Sequence, residues 1–550
     1  MSRRGLLAGV TAAAGGFAAT DLRSPARAAG AAGAQDRVPG AVIGPDDPRY
    51  AALTTGNNQR FVARPDYVKL ARSTDDVAAA LQEAVDAGKR VSVRSGGHCF
   101  SDFACNPEIE VIIDLSEMAA VDYDPEVRAF TIEPGARLEA AYESLYKGWG
   151  VTLPAGICYS VGIGGHIAGG GYGLLSRDHG LTVDHLYMVE VVTVDADRRV
   201  RVVRASREPD DPNRELWWGH TGGGGGNFGI VTRYWFRSPG ATGTAPMDQL
   251  ISPPAEVLIS ALQFPWDQLD EATFSRLLKN FGAWHQTNSA PDSPFTKLSS
   301  LFNVNHRAAG ALGMFTQVDA TAPDADALLH AYIEAIIDGT DLRPEPAETP
   351  IGELGSLPGF LVPRRLPWMQ ATKLVGSNNP TITDPTSRAA HKSGYQRRNF
   401  SDVQLGALYR AMTREDFHNP DTMLVVFSFG GQVNAARSDD TANAQRDSIF
   451  KMCFQTFWAD PADDDYYMSW VRELYSDFYS ETGGVPVPNG DMDGCYINYP
   501  DNDVADPAWN KSGLPWSYLY YKDNYPRLQQ VKEHWDPNNI FRHALSIELP

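Results

Sequence analysis

The sequence is short of positive charge. Its 48 Lys and Arg stand against 68 Asp and Glu, a formal net charge of −20. An acidic chain repels phosphate, so nucleic acid and anionic membrane surfaces are disfavoured as partners. Cysteine is scarce: Cys99, Cys105, Cys158, Cys453 and Cys495. An odd number excludes complete disulfide pairing. No C-x-x-C pair is present, which argues against a zinc or iron–sulfur cage and leaves no metal site to expect. Cys99 and Cys105 are spaced either for a small bridge or as two small buried thiols, and the residues leave both open. Long apolar runs are missing as well. Beyond the N-terminus none approaches the ~18 residues needed to span a bilayer. What is present is a chain of 550 residues, 43% hydrophobic and 21% charged, long enough for two or three domains with sizeable cores.

The first residues read as an address. Ser2-Arg3-Arg4-Gly5-Leu6-Leu7 is a twin-arginine pattern, an Ala/Gly-rich stretch follows, and Ala26-Arg27-Ala28 resembles a cleavage site, with the cut after Ala28. This predicts a secreted protein; the competing reading is a tail with chance arginines. Residues 1–45 are therefore set outside the fold. Composition places further boundaries near 245, at Ser238-Pro-Gly-Ala-Thr-Gly-Thr-Ala-Pro246, and near 490, where the chain turns aromatic. The predicted segments are 46–245, 246–490 and 491–550. In the first, Ser73-Thr-Asp-Asp caps a helix with Val77, Leu81 and Val85 as its stripe, and Gly88 ends it. Arg90 to Arg94, Glu110 to Leu115, Ala129 to Glu133 and Met188 to Val194 read as strands, Leu138 to Leu145 as a helix. Ala325 to Ile337 reads as a helix, Met423 to Phe429 as a strand, and Tyr518 to His534 as one helix. This is an α+β pattern.

Two glycine-rich loops each carry a nucleophilic side chain. One is Arg94-Ser95-Gly96-Gly97-His98. The other runs from Cys158 through Val161, Gly162, Gly164, Gly165 and His166 to Gly169-Gly170-Gly171-Tyr172. Backbone without side chains can approach a flat or phosphorylated cofactor closely. A thiolate near a helix start or beside His166 gains nucleophilicity. The run Thr221 to Gly229 formally matches a dinucleotide fingerprint, but Leu216-Trp-Trp precedes it and the strand-like Ile230 to Phe236 follows. A Rossmann unit needs the opposite order.

Taken together these motifs resemble the berberine-bridge-enzyme-like branch of FAD-linked oxidases, of the vanillyl-alcohol-oxidase superfold. The match runs over about 45–245 and 490–550. It includes the C-terminal Tyr496-Ile-Asn498-Tyr499 and Trp535-Asp-Pro-Asn-Asn-Ile-Phe541. Exported actinobacterial enzymes that oxidise sugars on antibiotics look similar. The resemblance implies a two-subdomain FAD-binding domain of the PCMH type over 46–245. It implies an α+β substrate domain over 246–490, with an antiparallel sheet flanked by helices, and a C-terminal module over 491–550 that returns to the FAD domain. It implies FAD bonded through its 8α carbon to His98 and through C6 to Cys158. Arg94, Ser95, Gly96, Gly97, Val161, Gly162, Gly164, Gly165, His166, Gly169, Gly170, Gly171, Gly226, Asn227, Gly229, Ile230, Asn498 and Tyr499 join them in holding the cofactor. Val161 matches a position that accompanies oxygen access.

Alcohol oxidation removes a hydride from carbon and a proton from oxygen, and the latter needs a base within hydrogen-bond reach. The family match assigns Tyr172 and Tyr496 to that work, with Tyr499 as a second candidate. A free phenol, with a pKa of ~10, needs a neighbouring tyrosine or cation to act near neutrality; Lys392, Arg397 and Arg398 are the cations considered. One position departs from the family. Counting back from Trp458, Cys453 stands where a Gln or Glu is usual, which disfavours a carboxylate-dependent cyclisation. The function implied is oxidation of a secondary alcohol or hemiacetal on a sugar or glycosylated natural product, with O2 reduced to H2O2. The rivals are a dehydrogenase with another acceptor, an oxidative cyclase and a non-enzymatic flavin or carbohydrate carrier.

Overall fold

The computed structural model describes residues 40–352, 354–377, 384 and 386–550. The twin-arginine reading, on the first 28 residues, lies outside them. The ordered fold begins earlier than position 46. Strand β1 (Val42–Ile43) pairs antiparallel with β2 (Tyr67–Leu70) because Ile43 is buried with Val68 and Ile112.

Strands β2, β3 (Val91–Arg94) and β4 (Val111–Asp114) form a parallel core in the order β1-β2-β4-β3. Every residue of β4 is buried, as befits a central parallel strand. The helix Thr74–Asp86 begins where Ser73 accepts from the Asp76 N–H at 3.1 Å. Its stripe of Val77, Leu81 and Ala84 packs in one cluster with Val91, Val111 and Ile113 of this sheet and with Val192, Val194 and Ile230 of the next. That second sheet has the order β5-β6-β9-β7-β8: β5 (Val121–Asp124), β6 (Ala129–Ile132), β7 (Leu186–Val194), β8 (Val200–Ser206) and β9 (Ile230–Phe236). A single helix thus glues two sheets together. Leu138–Trp149 is helical one turn further than its apolar stripe predicted, until Gly150 turns left-handed.

The middle of the chain builds an eight-stranded sheet whose paired strands run antiparallel: β10 (Glu256–Pro265), β11 (Leu298–Asn305), β12 (Ala311–Asp319), β13 (Glu345–Pro346), β14 (Arg364–Pro367), β15 (Arg388–Gln396), β16 (Thr422–Ser428) and β17 (Phe450–Trp458). One face packs on helices. Phe302 and Phe450 meet Phe281 of Glu271–Thr287, and Phe454 meets Phe478 of Asp464–Phe478. The other face carries Leu301, Phe427 and Lys451 in register across β11, β16 and β17, and it looks onto the glycine loops.

The C-terminal helix is two helices, not one. Trp516–Tyr521 is followed by a 3-10 turn at Lys522–Asn524 and by Tyr525–Trp535. Pro526 lacks the N–H that would bond to the Lys522 carbonyl and its ring crowds that carbonyl. Lys522 escapes to φ 48 and sends its ammonium to Asp493 at 2.6 Å. The last residues fasten back onto the first domain: the Asn227 side chain accepts from the Ile547 N–H, and buried Lys532 donates to the Asn227 carbonyl.

Candidate active site

A cavity of about 310 Å³ runs between the FAD-type loops and the sheet of the middle domain. Strand β3 delivers the first loop. Arg94 closes the strand with an ion pair to fully buried Asp114 at 2.7 Å, and the chain then bends through Ser95, Gly96, Gly97 and His98 along the cavity wall. None of the N–H groups of Gly96, Gly97 and His98 bonds to a backbone carbonyl among the described residues. Gly96 lies so close to the second loop that a Cβ there would sit 2.3 Å from the Gly162 nitrogen; Gly97 has φ +75. The Ser95 hydroxyl donates to Pro134 O at 2.6 Å. The two loops therefore touch closely, through the Gly96 and Gly162 backbones and the Ser95 side chain, and His98 and Cys158 face one cavity.

Burial, then the charges of Arg137 and Arg94, push His98 down to about 4, against a hydrogen bond to the Ser160 backbone. The imidazole is neutral, with a lone pair to offer. The Cys158 thiol lies 3.6 Å from the Ser160 hydroxyl. His166 does not serve as a cation for that thiol. Its Nε2 accepts from the Gly156 N–H at 3.1 Å, and burial, then Lys451, pushes it down to about 3.

Val161, Gly162, Gly164, Gly165, Gly226, Gly229, Ile230 and Asn498 also line the cavity. Gly169, Gly170, Gly171 and Asn227 do not; they stand behind its wall. A Cβ at Gly169 would collide with Asn498, at Gly170 with Asn443 and at Gly171 with Thr182. Asn227 donates to the carbonyls of Gly223 and Gly224, holding the glycine run in shape. That run has helix Arg214–Gly219 before it and β9 after it, the reverse of a Rossmann turn. The unencumbered backbone, the aromatic and apolar far end near Phe103 and His543, which stack at 3.8 Å, and two nucleophiles in one wall fit an extended dinucleotide with a planar ring.

Three tyrosines close the other end. The hydroxyls of Tyr172 and Tyr499 share a hydrogen bond of 2.6 Å. Tyr496 stands edge-on to both, with ring centroids 5.8 and 5.2 Å away. Its oxygen accepts from the Gly171 N–H and the Asn498 amide, each at 3.2 Å. Burial raises Tyr496 to about 12 in spite of those two donors.

The cation among these rings is Lys451. Its ammonium lies 3.2 Å from the Tyr172 ring centroid, 3.6 Å from that of Tyr496 and 3.9 Å from that of Tyr499, with the residue fully buried. The three cations considered from the sequence are engaged elsewhere. Lys392 pairs with Asp501 and Asp503, Arg397 with Asp493, and Arg398 with Asp491. The one signal for Lys451 was a lone lysine inside the aromatic strand Phe450-Lys-Met-Cys-Phe-Gln-Thr-Phe-Trp458. Cys453 follows on the same strand face, packed beside Tyr499 with its thiol donating to Gln455 Oε1 at 3.4 Å. Cys99 and Cys105 are both free thiols, and no metal-binding cluster occurs among the described residues.

Known proteins share this architecture. An FAD binding domain family matches residues 65–201, and the berberine and berberine-like family matches 495–548. Aclacinomycin-N/aclacinomycin-A oxidase of Streptomyces galilaeus is 46% identical, covering 98% of this chain and 95% of that protein. Hexose oxidase of Chondrus crispus is 31% identical over 91% of this chain and 93% of its own. The crystal structure of glycopeptide hexose oxidase DBV29 complexed with teicoplanin aligns with TM-score 0.86 and 47% identity, covering 93% of this chain and 99% of that one. The chain belongs to the berberine-bridge-enzyme-like family of FAD-linked oxidases, with the FAD-binding fold of the vanillyl-alcohol-oxidase type, and is an FAD-dependent oxidoreductase.

Proposed function

We propose that this enzyme is exported and oxidises a secondary alcohol or hemiacetal of a sugar or glycosylated natural product, with FAD bonded to both His98 and Cys158 and O2 reduced to H2O2. The observation that carries the reading is the ammonium of Lys451 inside the Tyr172–Tyr496–Tyr499 cage, beside a 2.6 Å phenol pair. When bound, FAD supplies the hydride acceptor and passes two electrons on to O2. The protein supplies the base. A substrate hydroxyl that reaches Tyr172 gives up its proton to the phenolate. The buried ammonium stabilises that anion, and Tyr499 donates to it. Tyr496 is less suited to the task, since burial raises it and two N–H donors already occupy its oxygen. It orients the cage. Neutral His98 and Cys158 are the residues that would hold the isoalloxazine from two sides, leaving room above it for a bulky substrate.

Relatives support the substrate class. One is named for aclacinomycin, another for hexose, and a third was solved with teicoplanin. The twin-arginine pattern supports export, with a mature chain starting at Ala29. The test is direct. Acid-precipitated protein keeps its yellow colour, and flavin mass appears on the His98 and Cys158 peptides. Colour that washes out overturns the double link. Sugar-dependent H2O2 formation in air, absent under argon, separates an oxidase from a dehydrogenase.

A further inference from the structure

One buried charge stands outside the cage and the cofactor wall. Arg177 is 1% exposed, and no acid accepts a hydrogen bond from it among the described residues. Its guanidinium donates instead to Leu298 O and Asn288 O, each at 2.8 Å, to Phe295 O at 3.3 Å, to the Ser289 hydroxyl at 3.5 Å and to Phe429 O. Burial pushes the group down to about 10, so it stays charged at neutral pH. A buried cation without a counter-ion costs desolvation and is weak evidence for stability. Carbonyl dipoles offset part of that cost. So does the negative end of helix Glu271–Thr287, whose C-cap is Asn288.

All five acceptors belong to the middle domain, while Arg177 lies on the segment that follows Tyr172. Tyr172 to Arg177 make one compact turn. The Gly173 N–H donates to the Ser176 hydroxyl and the Ser176 N–H to the Gly173 carbonyl, each at 3.0 Å. The Ser299 hydroxyl donates to Leu174 O at 2.6 Å. The turn is thereby stitched to β11 through Leu298 and Ser299, and to the end of β16 through Phe429. Strand β16 also bears Phe427, whose ring stands edge-on to Tyr172 at 5.3 Å and which is the direct cross-strand partner of Lys451. Gly430 and Gly431 make room for this junction, with φ 81 and 60. A Cβ at Gly431 would sit 2.2 Å from the Arg177 carbonyl, and one at Gly430 2.7 Å from the Ser289 Cβ.

We infer that Arg177 is a positioning residue for the oxidation, a pin across the domain seam that sets the Tyr172 ring against the Lys451 ammonium. Arg177 does not line the main cavity, so it acts only through Tyr172. The inference deepens the proposed function and rests on it for the role of Tyr172 as base.

Anaerobic stopped-flow reduction of the flavin is followed across pH in four holoenzymes: wild type, Arg177→Lys, Lys451→Met and the double variant. The donor is glucose, aclacinomycin A or teicoplanin, whichever reduces wild type fastest. A lysine ammonium has three donors for the five acceptors. If the Tyr172 ring retreats by ~2 Å from Lys451, the phenolate population falls about tenfold at an effective dielectric of 20. Arg177→Lys therefore slows reduction at pH 7 about tenfold and moves the alkaline rise up by about one pH unit. In the Lys451→Met background it adds no displacement, since no ammonium is left to retreat from. A merely structural arginine changes the yield of loaded enzyme and leaves the pH midpoint in place.

Displacement by Lys451→Met with none by Arg177→Lys overturns the pin and leaves Tyr172 as the base. Displacement by Arg177→Lys that recurs in full without the ammonium overturns the pin as well. No displacement by Lys451→Met overturns the base reading, and the pin falls with it. Where Arg177→Lys does not fold, Ser289→Ala removes one acceptor of the same cluster. It moves the profile in the same direction by a smaller amount, and an unmoved profile there overturns the pin.

Discussion

Replacing Lys451 by methionine tests the catalytic cage at its centre. The ammonium lies 3.2 Å from the Tyr172 ring centroid, which puts it roughly 4 Å from the phenolic oxygen, where a charge pair at an effective dielectric of 20 interacts by about 4 kcal/mol. Removing the charge lowers the phenolate population by about a thousandfold, since each factor of ten corresponds to about 1.4 kcal/mol. Anaerobic stopped-flow reduction of the flavin by saturating substrate reads this directly. The rate constant at pH 7 falls by about three decades. The alkaline rise of the profile moves up by about three pH units, because higher pH restores the phenolate that the ammonium had favoured.

Folding is a separate matter. A buried ammonium costs desolvation, so exchange for an apolar side chain of similar length leaves the chain able to fold. Flavin content stays at the wild-type level. A Lys451→Met enzyme that folds, carries flavin and reduces it at the wild-type rate with an unmoved pH profile refutes the argument. A fall in rate with no pH displacement refutes it as well, because that is the signature of misplacement and not of lost charge.

Three further outcomes follow from Tyr496, from the first glycine loop and from the buried histidines. Tyr496→Phe leaves the N–H of Gly171 and the amide of Asn498 facing no oxygen. Each stranded donor costs about 1–3 kcal/mol, so thermal melting drops by several degrees while flavin reduction slows and bound flavin is kept; an unchanged reduction rate removes Tyr496 from the mechanism. Gly96→Ala drives a Cβ into the Gly162 backbone, separates the two loops and abolishes stable flavin incorporation, read as the ratio of 450 nm to 280 nm absorbance in purified protein. Burial holds His220 at about 4, and His166, His391 and His543 at about 3. Below pH ~6.5 the unfolded chain protonates these rings and the folded chain does not. The contribution is intact above 6.5 and is lost on acidification, by up to about 1.4 kcal/mol per pH unit for each histidine. A melting temperature that stays flat between pH 7 and 5 contradicts this.

The local chemistry of the first domain was legible because each signal had one physical reading. Ser73 before two acids and an apolar stripe caps a helix and nothing else, and β3 running into Gly96-Gly97 makes a backbone-lined wall. The family motifs located the C-terminal tyrosines for a similar reason: their spacing is local. What failed to show was everything that depends on contact between distant segments. A helical stripe from Tyr518 to His534 concealed the break that Pro526 imposes on Lys522, since apolar periodicity does not register a missing N–H. The glycines at 169–171 carry a second constraint that the sequence did not show, since a Cβ at each would meet Asn498, Asn443 or Thr182.

Lys451 is the sharpest case. In sequence it is an ordinary cation in a strand of aromatics, while Lys392 and the Arg397-Arg398 pair seemed equally placed to reach the tyrosines. Register decides between them. Lys451 is opposite Phe427 across β16 and β17 and Tyr395 across β15 and β17, on the face that meets Tyr172, Tyr496 and Tyr499. Lys392 is one residue out of step with that face, since it pairs with Phe454, whose ring packs on the helix side. A period-2 alternation sends neighbours to opposite faces, so a single residue of register separates a cation that meets the three tyrosines from one that pairs with Asp501 and Asp503. The same alternation puts Cys453 two positions on, beside Tyr499. A thiol there, hydrogen-bonded to Gln455 Oε1, places no carboxylate at that position beside the tyrosines.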